Sequence, residues 1–489
     1  MASETANLYD EARNYVGGEW RAPSADGQDV LNPATGEPFA TVGFSSAGDV
    51  DDAVGIAREA FGTWRNRPIE ERIQPLFAFK ELLEQHQNEL AELLVTEHGK
   101  TLAEARGELR RGIENVETAC GMPTLMQAGH VENAAPGIDE TAVRKPLGVF
   151  AAVTPFNFPG MIPLWFLPYA VAAGNSFILK PSEQTPLTAQ KLFELVDEAG
   201  FPDGVVQLVH GSVDTVDAIL EHDDVEGISF VGSTPVARTI YEKAAASGKR
   251  VQAQGGAKNH VVVSKHADLE FAAEQTVGSA FANSGQRCLA NPMAVVVEDV
   301  YDEFTDRVVE RAADITVGDG LNDDTDMGPV VSTDHARSIV DAIETGIDDG
   351  ADLLLDGRDA SPDAPENYLG PTVFGDVEPG SFLASEEIFG PVLGVARVEE
   401  FDDAVEYVNA SQFGNAASLF TRRGAEARQF KHDVEAGNLA INVGTAAPMA
   451  FYHFGGRKAS FFGDLHAQGE DMIHFYTDET VVIERWPDS

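Results

Sequence analysis

Cys288 closes the run Phe281-Ala282-Asn283-Ser284-Gly285-Gln286-Arg287-Cys288 and is one of 2 cysteines in a chain of 489 residues. A thiol that follows a Gly-Gln turn and stands beside the Arg287 guanidinium is a candidate nucleophile. The thiolate is the reactive form, and adjacent positive charge favours it. The competing meaning is a buried structural cysteine, the commoner fate of a free thiol. Cys120, in Val116-Glu117-Thr118-Ala119-Cys120-Gly121, lacks such a context and is read as structural.

Four other runs carry polar groups in places where ligands bind. Asn157, in Thr154-Pro155-Phe156-Asn157-Phe158-Pro159, is an amide in an apolar loop after an expected strand. Buried amides need partners, so it either ties the loop down or donates to a ligand oxygen. Lys180-Pro181-Ser182-Glu183 puts a cation and a carboxylate at a strand's carboxyl end, where open α/β sheets take their ligands. A carboxylate there accepts ribose hydroxyls and repels a 2′-phosphate, favouring NAD over NADP; a surface ion pair is the alternative. Phe230-Val231-Gly232-Ser233-Thr234-Pro235 reads as strand, turn and helix start, with free N–H groups and the helix dipole facing outward, suited to phosphate. The Gly-x-Gly-x-x-Gly fingerprint is absent. Glu386-Glu387-Ile388-Phe389-Gly390-Pro391 sets two acids beside an apolar turn.

The elements that must position these runs follow from hydrophobic periodicity. Apolar residues recur every three or four positions over 50–64 and 69–95, which predicts helices. Beyond residue 147, short apolar runs at 148–153, 176–179, 205–209 and 227–231 alternate with helical spacing at 184–199, 213–220 and 235–246. Strands alternating with helices imply crossover units and a buried parallel sheet. A second series, a strand at 293–297 and a helix at 300–315, implies another α/β domain beginning near Gly256. Segments 130–144 and 481–484 read as strands outside both cores, in need of partners, so an oligomeric sheet is expected.

Composition narrows the setting. Apolar residues make up 43% of the chain, enough for globular domains, and the net charge is −46. The acids are spread throughout, and no lysine occurs between Lys265 and Lys431. A uniformly acidic, lysine-poor surface suits concentrated salt, where the Debye length falls to about 3 Å at 1 M. A halophilic cytoplasm is the expected origin. Nucleic acid is excluded as a partner, because phosphate contacts need clustered Lys and Arg. Two cysteines 168 positions apart form neither a disulfide framework nor a Cys-rich zinc site, and no metal is expected. The first thirty residues lack a signal pattern, and the longest apolar stretch, 161–174, contains Pro163 and Pro168 and is too short for a bilayer.

Taken in order, these motifs resemble the aldehyde dehydrogenase superfamily, from Asn32-Pro33-Ala34-Thr35-Gly36-Glu37 to Trp486. The resemblance implies a Rossmann-like NAD-binding domain over 1–125 and 147–255 and an α/β catalytic domain over 256–455. Oligomerisation strands would lie at 126–146 and 465–489, in a homotetramer or dimer. It further implies that Cys288 attacks the aldehyde and Asn157 helps hold the oxyanion. Lys180 and Glu183 would bind the adenosine ribose, Ser233 the pyrophosphate and Glu387 the nicotinamide ribose, with Thr154 and Phe156 lining the cleft.

One departure bears on the outcome. Most members carry Glu-Leu-Gly-Gly-Lys before the cysteine, with the Glu as base for hydrolysis; with lysines matched, that position here is Gln254. A neutral amide forfeits an activation of water worth ~10²–10⁴-fold, whereas a thiol acceptor already supplies thiolate. The Gly-Gly-Ala-Lys-Asn-His run at 255–260, Arg287, and Ser460-Phe461-Phe462-Gly463-Asp464-Leu465-His466-Ala467 resemble the methylmalonate-semialdehyde dehydrogenase branch, which acylates coenzyme A. In that branch two arginines act on the substrate carboxylate, here Arg111 and Arg287, whose planar forks suit it. The alternative for Arg111 is a helix-surface ion pair. Gly444-Thr445-Ala446-Ala447-Pro448 departs from the branch pattern in a loop expected to shape the substrate entrance. A hydrolytic enzyme for another aldehyde, or a non-catalytic protein on the same fold, are the rival readings.

Overall fold

The computed structural model describes residues 8–360 and 365–487. An eight-stranded sheet runs in the order 461–463, 250–254, 225–231, 149–153, 176–180, 206–208, 14–16, 19–21. Its five central strands are parallel, and antiparallel strands finish both edges. Val149–Val153 shows why the run is apolar throughout. Phe150 and Ala152 enter one hydrophobic cluster and Val149, Ala151 and Val153 another, so the two-residue period buries both faces. The apolar stretch expected at 161–174 becomes the fully buried helix Pro163–Ala173, which ends at Gly174 with φ 104°. A Cβ there would collide with the Arg72 guanidinium, which donates to the Ala173 carbonyl at 3.0 Å.

A seven-stranded sheet follows in the order 352–355, 372–375, 392–398, 293–297, 260–263, 416–420, 438–441, parallel except for its first pair. The chain passes between the two sheets through Gly255–Asn259. It returns at Phe461–Gly463 to extend the first sheet beside Gln252–Gln254. The helix Gly469–Tyr476 then packs into the first core through Met472, Ile473 and Phe475.

The strands expected outside both cores find one another. Thr477–Glu484 pairs antiparallel with Ile138–Pro146, which pairs with His130–Ala135. Val131, Val481 and Ile483 remain exposed on this small sheet, as does Trp486 just beyond its last strand. The single periodic stretch at 69–95 divides into the helices Ile69–Arg72, Gln74–Gln85 and Gln87–His98. Pro75, which has no N–H to continue the preceding turn, sits at the first break.

Candidate active site

The helix Leu269–Phe281 ends against a tight loop in which Asn283, Ser284 and Gly285 take φ of 57°, 54° and 72°. Only Gly285 adopts this backbone freely, and a Cβ there would strike the Gly390 carbonyl. Gln286 is fully buried, and its Oε1 accepts the Val331 N–H at 3.0 Å. The Cys288 carbonyl is held by the amides of Asn259 and Asn415 at 2.8 and 2.7 Å. The Gly-Gln pair thus serves as turn and anchor, and delivers Cys288 half-buried to a cavity of about 530 Å³.

The thiol is not in the depressed state its neighbour suggested. Burial pushes it up to about 12, and the Glu387 charge adds to this. Arg287 and the N–H groups of Cys288 and Leu289 pull the other way without overcoming desolvation. Arg287 lines the same cavity, and its Nε is buried without a partner.

From the helix Leu102–Cys120, Arg111 reaches the cavity wall, and it pairs with Glu114 at 2.7 Å. It also donates to the Pro448 carbonyl, tying the helix to the loop that carries Thr445, Ala447 and Pro448 along the cavity. Phe158, Trp165 and Phe454 supply apolar walls. Asn157 is buried, and its Nδ2 donates to the Gln286 carbonyl at 2.9 Å, two residues from the nucleophile. The amide therefore ties its own loop to the segment that carries Cys288.

A second cleft, of about 410 Å³, opens at the carboxyl ends of the first sheet's strands and is lined by Thr154, Phe156, Lys180, Glu183 and Gly232. Lys180 is buried and pairs with Glu183 at 3.0 Å. Thr154 Oγ1 is buried with no partner, a polar atom left for a ligand. Ser233 is the exposed N-cap of Thr234–Ala246, with a hydroxyl the helix does not use. These groups fit a dinucleotide: a carboxylate for ribose hydroxyls and an open helix start for phosphate. Glu387 accepts the Ala257 N–H at 2.8 Å and lies so close to Gly256 that any Cβ would clash. Burial pushes its carboxyl up to about 7, against the pull of Lys258.

Gln254 sits in the strand Arg250–Gln254, and its Nε2 donates to the Phe454 carbonyl at 3.2 Å. Two carboxylates do line the cavity, and neither was foreseen. Glu104 accepts the N–H groups of Asn283 and Thr101, and Glu108 is paired with Lys100. Glu104 was within reach of sequence reasoning, since Thr101-x-x-Glu104 is a capping box. Nothing local pairs Lys100 with Glu108. His260 and His466, given no role, lie beside Tyr407 and paired with Asp471, respectively.

A cavity lined by Cys288 and a cleft shaped for a dinucleotide together fit an oxidoreductase. The aldehyde dehydrogenase family model matches residues 20–482, and the chain belongs to that family. Among its relatives, malonate-semialdehyde dehydrogenase 1 of Geobacillus kaustophilus is 47% identical over 476 residues, covering 97% of each chain. The crystal structure of methylmalonate-semialdehyde dehydrogenase (DddC) from Oceanimonas doudoroffii aligns with a TM-score of 0.96 at 42% identity, over 98% of this chain and 99% of that one. A Sinorhizobium meliloti structure, provisionally assigned to methylmalonate-semialdehyde dehydrogenase and complexed with NAD, aligns with a TM-score of 0.96 at 40% identity, over 99% of both chains.

Proposed function

We propose that this aldehyde dehydrogenase oxidises malonate or methylmalonate semialdehyde with NAD, releases carbon dioxide, and transfers the remaining acyl group to coenzyme A as acetyl-CoA or propionyl-CoA. The observation that carries the reading is the pair Arg111 and Arg287 on one cavity with Cys288, where every carboxylate is already engaged. The names borne by the relatives at 47% and 42% identity point to the same substrates.

Arg111 and Arg287 hold the substrate carboxylate and so aim the aldehyde carbon at Cys288. The sulfur adds to the carbonyl as its proton leaves. Asn157 and the Cys288 N–H stabilise the alkoxide. Lys180, Glu183, Ser233 and Glu387 would hold NAD, with Thr154 and Phe156 lining its cleft, and the bound cofactor would supply the hydride acceptor. The thioester left on Cys288 loses its β-carboxylate as carbon dioxide, and a proton takes its place on carbon. Gln254 cannot draw a proton from water, so the thiolate of coenzyme A displaces Cys288 in preference to hydroxide.

Feeding methylmalonate semialdehyde, NAD and coenzyme A should yield propionyl-CoA and NADH in equal amounts. Rapid turnover to free propionate without coenzyme A would overturn acyl transfer and leave the hydrolytic rival standing.

No helix among the described residues is long and apolar enough to cross a membrane. The setting we propose is the cytoplasm of a halophile, on the strength of the net charge of −46. Desalting from molar salt should then erode the far-UV CD spectrum; an unchanged spectrum would refute it. The exposed Val481 and Ile483 on the small sheet, with Trp486 just beyond it, support a homo-oligomer, a tetramer or dimer, in which residues 126–146 and 465–489 contribute the contact.

A further inference from the structure

Lys100 and Glu108 form an ion pair with both side chains 0% exposed and Nζ 2.5 Å from the carboxylate. Holding two charges wholly out of water is costly, and such a pair contributes little net stability, so its presence asks for another reason. Its remaining contacts supply one. The ammonium donates to the main-chain carbonyl of Asn157 at 2.8 Å and sits 4.4 Å from the centre of the Phe158 ring. The carboxylate's other oxygen accepts the N–H groups of Gly160 and Met161 at 2.7 and 3.1 Å. Between them the two charges grip the loop that presents Asn157.

The same stretch of chain also grips the nucleophile's loop. Glu104, one helical turn before Glu108, accepts the N–H of Asn283 at 2.5 Å. Asn283 and Ser284 hold a left-handed backbone that non-glycine residues adopt only when their surroundings enforce it. Asn283 Nδ2 then donates to the carbonyls of Asn157 and Gln286 at 3.3 and 3.1 Å, and Asn157 Nδ2 meets the same Gln286 carbonyl. The result is a closed ring, from Lys100 and Glu108 through Asn157 to Gln286 and back through Asn283 to Glu104.

We infer that Lys100 and Glu108 are positioning residues for the oxidation step: through this ring they set the Asn157 amide against the Cys288 sulfur, acting through Asn157 rather than on the aldehyde. The inference rests on the reading that Cys288 is the nucleophile and Asn157 stabilises the alkoxide. An amide displaced by about 1 Å can cost roughly 100-fold in rate.

Removing Lys100 alone would strand a buried carboxylate and confound rate with folding. The test therefore uses Lys100→Met/Glu108→Leu, which removes both charges together. Beside it stands Glu108→Asp, which keeps the charge but withdraws the carboxylate by one methylene. Single-turnover NADH formation with methylmalonate semialdehyde is followed for variants whose far-UV CD matches the parent chain. The rate constant should fall about 10- to 100-fold, with burst amplitude per folded chain, NAD affinity and iodoacetamide labelling of Cys288 unchanged. A merely structural pair would lower the amplitude and leave the rate constant alone, and that result overturns the inference. So does a parental rate constant in either folded variant; if the double variant does not fold, Glu108→Asp decides. A parent chain that gives no NADH burst, or a burst that survives Cys288→Ala, would instead sink the underlying reading of the site.

Discussion

The surroundings of the two cysteines differ less in charge than in what they can reach. Cys120, last residue of the helix Leu102–Cys120, has its thiol pushed up to about 11 by burial and by Glu117, with Lys80 opposing. Cys288 is pushed up further, to about 12, although a guanidinium stands next to it. Burial raises both thiols, so resting ionisation does not single out the proposed nucleophile. Placement does. Cys288 looks into a cavity with Arg111 and Arg287 on its wall and Asn157 tied to the carbonyl of Gln286 behind it. Cys120 packs against the first core with no such company. On the proposed mechanism, such a thiol becomes useful only when an aldehyde is held over it and its proton can leave.

The sharpest break of this comparison is a swap of losses. Cys288→Ala should cut NADH formation by about 10³-fold or more, and Cys120→Ala should leave it unchanged; equal losses would abolish the distinction. Next in size are the arginines. Arg287→Leu or Arg111→Leu should lower kcat/KM for a carboxylated semialdehyde by about 10- to 100-fold, the worth of a charged hydrogen bond. An uncharged aldehyde of similar length should be little affected, and equal losses on both would show that the guanidiniums serve the fold instead.

A gentler probe is labelling against pH. In the absence of cofactor and substrate, the thiolate fraction at Cys288 should rise about tenfold per pH unit from pH 7 to about 10, because its thiol titrates above that window. A plateau near pH 7 in iodoacetamide labelling of Cys288 would show a depressed thiol and restore charge as the distinguishing feature. Arg287→Leu should slow labelling at every pH, since the guanidinium lowers the thiol's titration point. The smallest effect expected is on stability. Cys120→Ala should shift unfolding by about 1 kcal/mol or less, and a larger loss in urea melts would give that half-buried thiol a weightier packing role.

Much of this was legible in the order of residues. The runs Val149–Val153 and Met293–Val297 are apolar at every pleat, as is Phe177–Leu179 between Ser176 and Lys180, and their strands are buried on both faces. Gly285 and Gln286 announced a turn ahead of Cys288, and both do the work their types suit. Arg111 and Arg287, 176 positions apart by their numbers, do meet on one cavity. Other features were hidden because their causes are not local. The Cys288 thiol's direction of shift depends on how much apolar wall surrounds it, which no neighbouring residue reports. The Glu387 carboxyl, pushed up to about 7, depends in the same way on packing against Gly256.

By itself, then, the chain of residues determined which groups could react and which strands would be buried, because side-chain chemistry and hydrophobic period are properties of short segments. Only the tertiary structure decided which charges lose their water and which distant partners they find. Lys100 and Glu108 stand eight positions apart, and only folding encloses them together with Asn157. Desolvation is a property of everything that surrounds a group, and that is assembled only when helices and loops from distant parts of the chain close on one cavity.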